Sequence, residues 1–200
     1  MKNYLEKFKQ MVDELRVHPQ IEITEFVITL PATEKEIKSA NKKFKLTSDM
    51  LDFYKQANGL TLRWKLKDTQ ENEEDPICGN IELLAVQDVF SDWEDNIYFD
   101  DDDEFKPLHP LDFFVNEACA ALYLDDSDNP EVYYHYCGEE MYPLKMDFGK
   151  YLHALLKTRG FWYWQTAVAD KYQKMHITSP KHFKKSMPKL FPDFKLSEIL

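Results

Sequence analysis

The sequence predicts an α+β fold, with a central, mostly antiparallel sheet and helices packed on one side. Three observations predict it. Apolar residues recur at helical spacing over 33–45, 48–58 and 147–159. Over 60–66, 77–86, 118–124 and 131–136 they alternate or run unbroken for a few residues, as in strands. The chain has 200 residues, 44% of them apolar, which suits one domain with a substantial core.

Taken in order, Tyr4, Leu5, Phe8, Met11, Val12 and Leu15 form a helical stripe that ends near His18-Pro19. Ile21, Ile23, Phe26, Val27 and Ile28 read as extended and lead into Leu30-Pro31, because the residue before a proline avoids the α region. Thr33 is placed to cap a helix, and Glu36 three residues later completes a capping box. Ile37, Ala40 and Phe44 mark that helix's buried face. Thr47 or Ser48 caps the next helix, which turns Met50, Leu51, Phe53, Tyr54 and Ala57 toward the core. Asn58-Gly59 is expected to end it, since glycine takes a left-handed conformation without steric penalty. Leu60, Leu62, Trp64 and Leu66 then alternate with Thr61, Arg63, Lys65 and Lys67, a strand with one buried face.

Residues 68–76, DTQENEEDP, hold almost nothing apolar and read as a solvated loop. Ile77 to Val86 gives one or two buried strand segments, with a bend at Gly79-Asn80. Pro107 and Pro110 frame an irregular connection. Ala118 to Leu124 and Glu131 to Tyr136, joined by the turn-rich Asp125 to Pro130, read as a hairpin. Asp147 caps a helix with the stripe Phe148, Tyr151, Leu152, Leu155 and Leu156, and Gly160 stops it. Phe161-Trp162-Tyr163-Trp164 reads as core or interface in preference to a ligand platform. The domain is assigned to residues 1–170. Residues 171–200 form a lysine-rich extension in which Met187, Leu190, Phe191 and Phe194 indicate packing against the body.

The order Leu30-Pro31, Thr33, Ile37, Leu46, Phe53, Asn58-Gly59 resembles the opening of the Smi1/Knr4 family, also called the SUKH superfamily. Thr47 stands where many members carry a second proline. The resemblance runs on more loosely to about Ala169. It implies the α+β fold. It also implies a role, because many bacterial members are immunity proteins that bind and neutralise polymorphic toxins, while fungal members regulate cell-wall signalling. The expectation is therefore a non-catalytic, cytoplasmic immunity protein, with a signalling adaptor as the alternative.

Composition narrows the function classes. Three cysteines, Cys78, Cys119 and Cys137, form no CxxC pair, which argues against a zinc site or disulfide framework and fits a reducing compartment. The charged N-terminal stretch is no signal peptide. The longest uncharged stretch, Gly160 to Ala169, is far below the roughly 20 residues of a membrane helix. The net charge is −11; seven lysines against Asp193 and Glu198 give the tail from Lys171 a net +5, leaving −16 on the first 170 residues. Such a field repels nucleic acid and attracts basic proteins.

No GxSxG, P-loop, GxGxxG or HExxH motif occurs, and no two histidines stand at i, i+4. Cys137 two residues from His135 lacks an orienting third group, so a Cys-dependent hydrolase is only a remote alternative. An EF-hand loop counted from Asp126 places Glu131 and Cys137 where glycine and glutamate are needed, so the acids at 125–131 read as a polar turn. No cofactor or metal is expected.

One segment stands apart. Eight acids and no base lie between Asp92 and Glu104, interleaved with Trp93, Ile97, Tyr98 and Phe99. Charge runs of this kind are ordinarily solvated loops with aromatic anchors, and clustered carboxylates also suit a hard cation. The sharper reading is a partner-binding edge made of Asp92, Trp93, Glu94, Asp95, Tyr98, Phe99, Asp100, Asp101, Asp102, Asp103 and Glu104. Its aromatics would anchor the interface and its carboxylates would select a cationic protein, such as a nuclease toxin with a basic face.

Overall fold

The computed structural model describes residues 2–68, 76–125, 127–172 and 179–199. Among these, the frame is a seven-stranded antiparallel sheet whose spatial order follows the chain. Its strands are β1 (Ile21–Ile28), β2 (Leu60–Leu66), β3 (Cys78–Leu83), β4 (Leu108–Val115), β5 (Ala118–Tyr123), β6 (Glu131–Tyr136) and β7 (Glu140–Met146). The helices are α1 (Tyr4–Val17), α2 (Glu34–Lys43), α3 (Ser48–Tyr54), α4 (Val86–Val89), α5 (Phe148–Thr158), α6 (Trp164–Tyr172) and α7 (Ser179–Leu190). The α+β class and the antiparallel sheet are thus as expected.

Local signals account for several elements. The Thr33 hydroxyl accepts from the Glu36 N–H at 3.3 Å while the Glu36 carboxylate accepts from the Thr33 N–H at 2.7 Å, a complete capping box. Thr47 caps α3 and Asp147 caps α5 through their side chains. The β5–β6 hairpin forms with Ala120 opposite Tyr134 and Leu122 opposite Val132.

Four expectations need correction. The second helix ends at Tyr54, so Gly59 is not its stop. Gly59 has φ +121° at the start of β2, and a Cβ there would stand 2.9 Å from the Leu83 carbonyl. Asn58 is instead a buried pin, bonding the Val86 N–H at 2.8 Å and Gln87 Oε1 at 3.0 Å. The strand expected over 77–86 stops at Leu83, and Gly79-Asn80 does not bend it; the pair lies in the ladder opposite Trp64 and Arg63. A Cβ on Gly79 would collide with the Trp64 indole, which crosses the strand there. The connection around Pro107 and Pro110 is not irregular. It contains β4, whose pairing to β5 shifts register on both sides of Asp112. Finally, β7 is an additional edge strand that carries Pro143 and a left-handed Lys145 (φ +58°). Most of the expected loop at 68–76 lies outside the described residues.

The two faces of the sheet are covered differently. On the helical face, α1, α3, α5, α6 and α7 share one buried cluster with Leu62, Trp64, Ile81, Phe114, Leu122 and Val132. Phe53 sits at its centre, with the rings of Tyr4, Phe8, Tyr54 and Phe148 at 5.2–6.4 Å. The C-terminal segment joins the same cluster through Phe183, Met187, Phe191 and Phe194, all buried. Arg159 fastens it there. Its guanidinium lies 4.1 Å from the Phe191 ring centroid and 3.4 Å from both Glu14 and Asp193, while its carbonyl accepts the Trp64 indole N–H at 2.7 Å.

The outer face is divided. Over β1–β3 it is a charge ladder open to solvent, in which Arg63 bridges Glu25 at 2.9 Å and Glu82 at 3.1 Å. Over β4–β7 it is apolar: Leu108, Phe113, Cys119, Ala121 and Tyr133 form a second, smaller cluster. The chain between β3 and β4 closes over that cluster.

Candidate protein-docking edge

The cover is the acidic segment. It reaches the sheet through two anchors, Ile97 and Phe105, which are 1% and 9% exposed. The Phe105 ring lies 4.7 Å from the imidazole of His135 on β6. Trp93 is half-buried, its ring 5.8 Å from Phe113 on β4 and its indole N–H donating to the Val89 carbonyl at 3.4 Å. Between the anchors the backbone makes a tight turn. Asp95 is left-handed at φ 64°, its N–H donates to the Tyr98 carbonyl at 2.9 Å, and Glu94 bridges Tyr98.

The eleven residues expected to form the edge fall into two sets. One set holds the cover together. Asp92 accepts from the Tyr98 hydroxyl at 2.5 Å, a bond that keeps the Asp92 carboxyl below its ordinary range and pushes the Tyr98 hydroxyl up to about 12. Asp103 accepts from the Phe99 N–H at 3.0 Å and the Phe105 N–H at 2.9 Å. Asp100 accepts from the Asp102 N–H at 3.0 Å. Asp101 pairs with Lys106, which lowers its proton affinity in the same way. Lys106 also lies over the Tyr98 ring, 5.6 Å from its centroid.

The other set faces outward. Among the described residues, the carboxylates of Glu94, Asp95, Asp102 and Glu104 take no hydrogen bond or ion pair, and all four side chains are exposed. Phe99 is exposed beside them at 63%. Charge made this segment legible in the sequence. What charge does not reveal is that half of the acids are consumed by the loop's own backbone and by Lys106.

Beside the cover, β3 and β4 share only the Leu83–Asp112 pairing and then diverge. Residues Gly160 to Trp162 fill the gap from the helical side, the Asn80 N–H donating to the Gly160 carbonyl and the Trp162 N–H to the Cys78 carbonyl, each at 2.9 Å. On the outer side the divergence leaves a groove of about 750 Å³ lined by Arg63, Lys65, Asn80, Glu82, Phe113 and Trp162. No local pattern in the sequence announces it, because it arises from how two strands splay. Phe113 belongs both to this groove and to the Trp93 contact, so groove and acidic edge adjoin.

The remaining candidates look structural. His135 is fully buried; its Nδ1–H donates to the Glu140 carbonyl at 3.0 Å, its Nε2 has no partner among the described residues, and burial lowers its proton affinity. Among the described residues it makes no hydrogen bond to Cys137, whose side chain packs in the outer cluster that holds Cys119. Asp125 caps its own turn at the Ser127 N–H. Among the described residues no three His, Cys, Asp or Glu side chains converge as a metal cluster, and no helix is long and apolar enough to cross a membrane. Comparison with protein-family models, with curated proteins and with solved structures finds no match to this chain.

Proposed function

We propose that this chain is a non-catalytic protein-binding domain that neutralises a toxin domain by stoichiometric binding, and that the toxin docks on the outward rim of the acidic cover. The observation that carries the reading is the division within the cover: among the described residues the side chains of Glu94, Asp95, Asp102, Glu104 and Phe99 are unengaged and exposed on a segment that other residues hold in place. A prearranged rim of this kind loses little conformational entropy on binding. The charge of −16 over the first 170 residues favours a basic partner, as a nuclease must be basic where it holds phosphate. The resemblance of Leu30 to Gly59 to the Smi1/Knr4 opening supplies the immunity class. The same resemblance supports a signalling adaptor as the second reading, with a resident cellular protein in place of the toxin.

In this mechanism the rim steers encounter and occupies the basic face in place of nucleic acid, while Phe99 and the edge of Trp93 supply desolvated contact that slows dissociation. The test uses the purified chain and a purified nuclease toxin domain with a basic face. Replacing Glu94 and Glu104 by Gln and Asp95 and Asp102 by Asn is expected to slow association at low salt by at least about tenfold and to flatten its salt dependence. Phe99→Ala is expected to act mainly on dissociation. Unchanged association of the four-site variant at both low and high salt would move the interface elsewhere, and protection by a chain that forms no complex would overturn neutralisation by binding.

A further inference from the structure

Beneath the acidic cover lies a pair of thiols that the proposed docking does not use. Cys119 stands in β5 opposite His135 of β6, and Cys137 follows two residues later, just past the strand's end, where its N–H donates to the Glu117 carbonyl at 2.9 Å. The period of two puts both side chains on the outer face, in the cluster with Ala121 and Phe105. The two thiols are neighbours on the diagonal of the β5–β6 ladder within that cluster. Cys119 is fully buried, whereas Cys137 is half-exposed at the rim.

We propose that Cys137 and Cys119 form a dithiol site that exchanges with low-molecular-weight disulfides and closes into an intramolecular disulfide across the end of β5 and β6. The roles follow from exposure: Cys137 can be reached from solvent and Cys119 can be reached only by Cys137. The neighbouring Cys119 thiol lowers the proton affinity of Cys137, and the same interaction together with burial raises that of Cys119. The third cysteine, Cys78 on β3, has no thiol neighbour among the described residues, and burial pushes its thiol up to about 12.

The exchange balances in two steps. The Cys137 thiolate, its proton gone to water, attacks one sulfur of the small disulfide; that S–S bond breaks and one small thiolate leaves and takes up a proton. The Cys119 sulfur then attacks the Cys137 sulfur of the mixed disulfide, and its proton goes to the second small thiolate as it departs. Two electrons pass from the protein sulfurs to the small disulfide. Residues in this diagonal relation have Cα atoms about 7–8 Å apart, slightly beyond the reach of about 4.4–6.8 Å for a relaxed disulfide. Cys137 must therefore shift and give up its bond to the Glu117 carbonyl, and the next residue, Gly138, which turns at φ +79° in open space, can absorb the change. The resulting bond is strained and easily reduced, as suits a reversible site.

The test equilibrates the full wild-type chain with glutathione disulfide and glutathione, alkylates the free thiols and reads intact and peptide masses. The expected product is a Cys119–Cys137 disulfide that reverts as the glutathione fraction rises, with Cys78 still free to be alkylated. In initial-rate alkylation at pH 7, Cys137 is expected to react at least about tenfold faster than Cys78. Cys119→Ala should then halt at a mixed disulfide on Cys137, and Cys137→Ala should leave Cys119 unreacted. A wild-type chain that stops at the mixed disulfide, reacts first at Cys78 or resists the disulfide altogether overturns the proposal. These readouts need no substituted protein.

Discussion

On one face of the sheet Phe53 is ringed by four aromatic side chains from three helices; on the other, Ile97 and Phe105 hold down a loop with almost no secondary structure of its own. Both covers exclude water from the sheet, and they differ in what keeps them in place. The helices are held by apolar area distributed over many residues, so their loss is the loss of the fold. The loop is held by two anchors, a half-buried Trp93 and carboxylates that bond its own N–H groups. A cover of that kind can open without global unfolding.

The largest effects should separate the two faces by the extent of what they disrupt. Phe53→Ala is expected to cost about 4 kcal/mol of global stability by leaving a cavity among rings. Ile97→Ala should cost about 2 kcal/mol, with the damage confined to the cover: hydrogen exchange should quicken over residues 92–106 and stay unchanged in α5. Exchange that quickens equally in both regions would mean that the loop is as much a part of the cooperative core as the helices are.

Asp112 on the helical face and His135 on the loop face should respond to acid with opposite sign. On the helical face, Asp112 is fully buried; burial raises its carboxyl to about 6, against the pull of bonds from the Tyr151 hydroxyl and the Glu82 N–H, each 2.7 Å. The unfolded carboxyl titrates near 3.9. Between those values the folded chain binds more protons than the unfolded one, so stability falls as pH rises through the window, by about 3 kcal/mol in all. On the loop face burial lowers the proton affinity of His135, so the folded chain there binds fewer protons than the unfolded one. That contribution is present above the unfolded value of about 6.5 and is lost as pH falls below it. His109 and His153 are lowered too and act in the same direction as His135, so that His153, on α5, opposes Asp112 within the helical face. Denaturant unfolding of Asp112→Asn from pH 4 to 8 should lack the fall between 4 and 6, and protection of residues 92–106 relative to the intrinsic exchange rate at each pH should be lower at pH 5 than at pH 7. If Asp112→Asn keeps the wild-type slope, another group titrates in that window.

The elements legible in the sequence are those fixed by neighbours a few residues away. The capping box of Thr33 and Glu36, the Asp147 cap and the hairpin from Ala118 to Tyr136 are of this kind. What was misread depends on distant partners. Gly59 answers to the Leu83 carbonyl and Gly79 to the Trp64 indole, neither of which local turn chemistry reveals. β4 and β7 were hidden because bulges beside Asp112, Pro143 and the left-handed Lys145 break the period of two by which a strand is recognised. The acidic segment was legible as charge. That it is a cover was not, since its anchor Phe105 meets His135, thirty residues away in the chain.

The division within the cover can be measured directly by thermal unfolding of two variants. Asp103→Ala removes the acceptor for the Phe99 and Phe105 N–H groups. It should lower stability by about 1 kcal/mol, a fall in Tm of about 3 °C. The variant with Gln at Glu94 and Glu104 and Asn at Asp95 and Asp102 changes four charges, yet it should stay within about 0.5 kcal/mol of wild type. A Tm lowered more by the four outward substitutions than by Asp103→Ala would contradict the account, because the rim assigned to a partner would then be holding the loop.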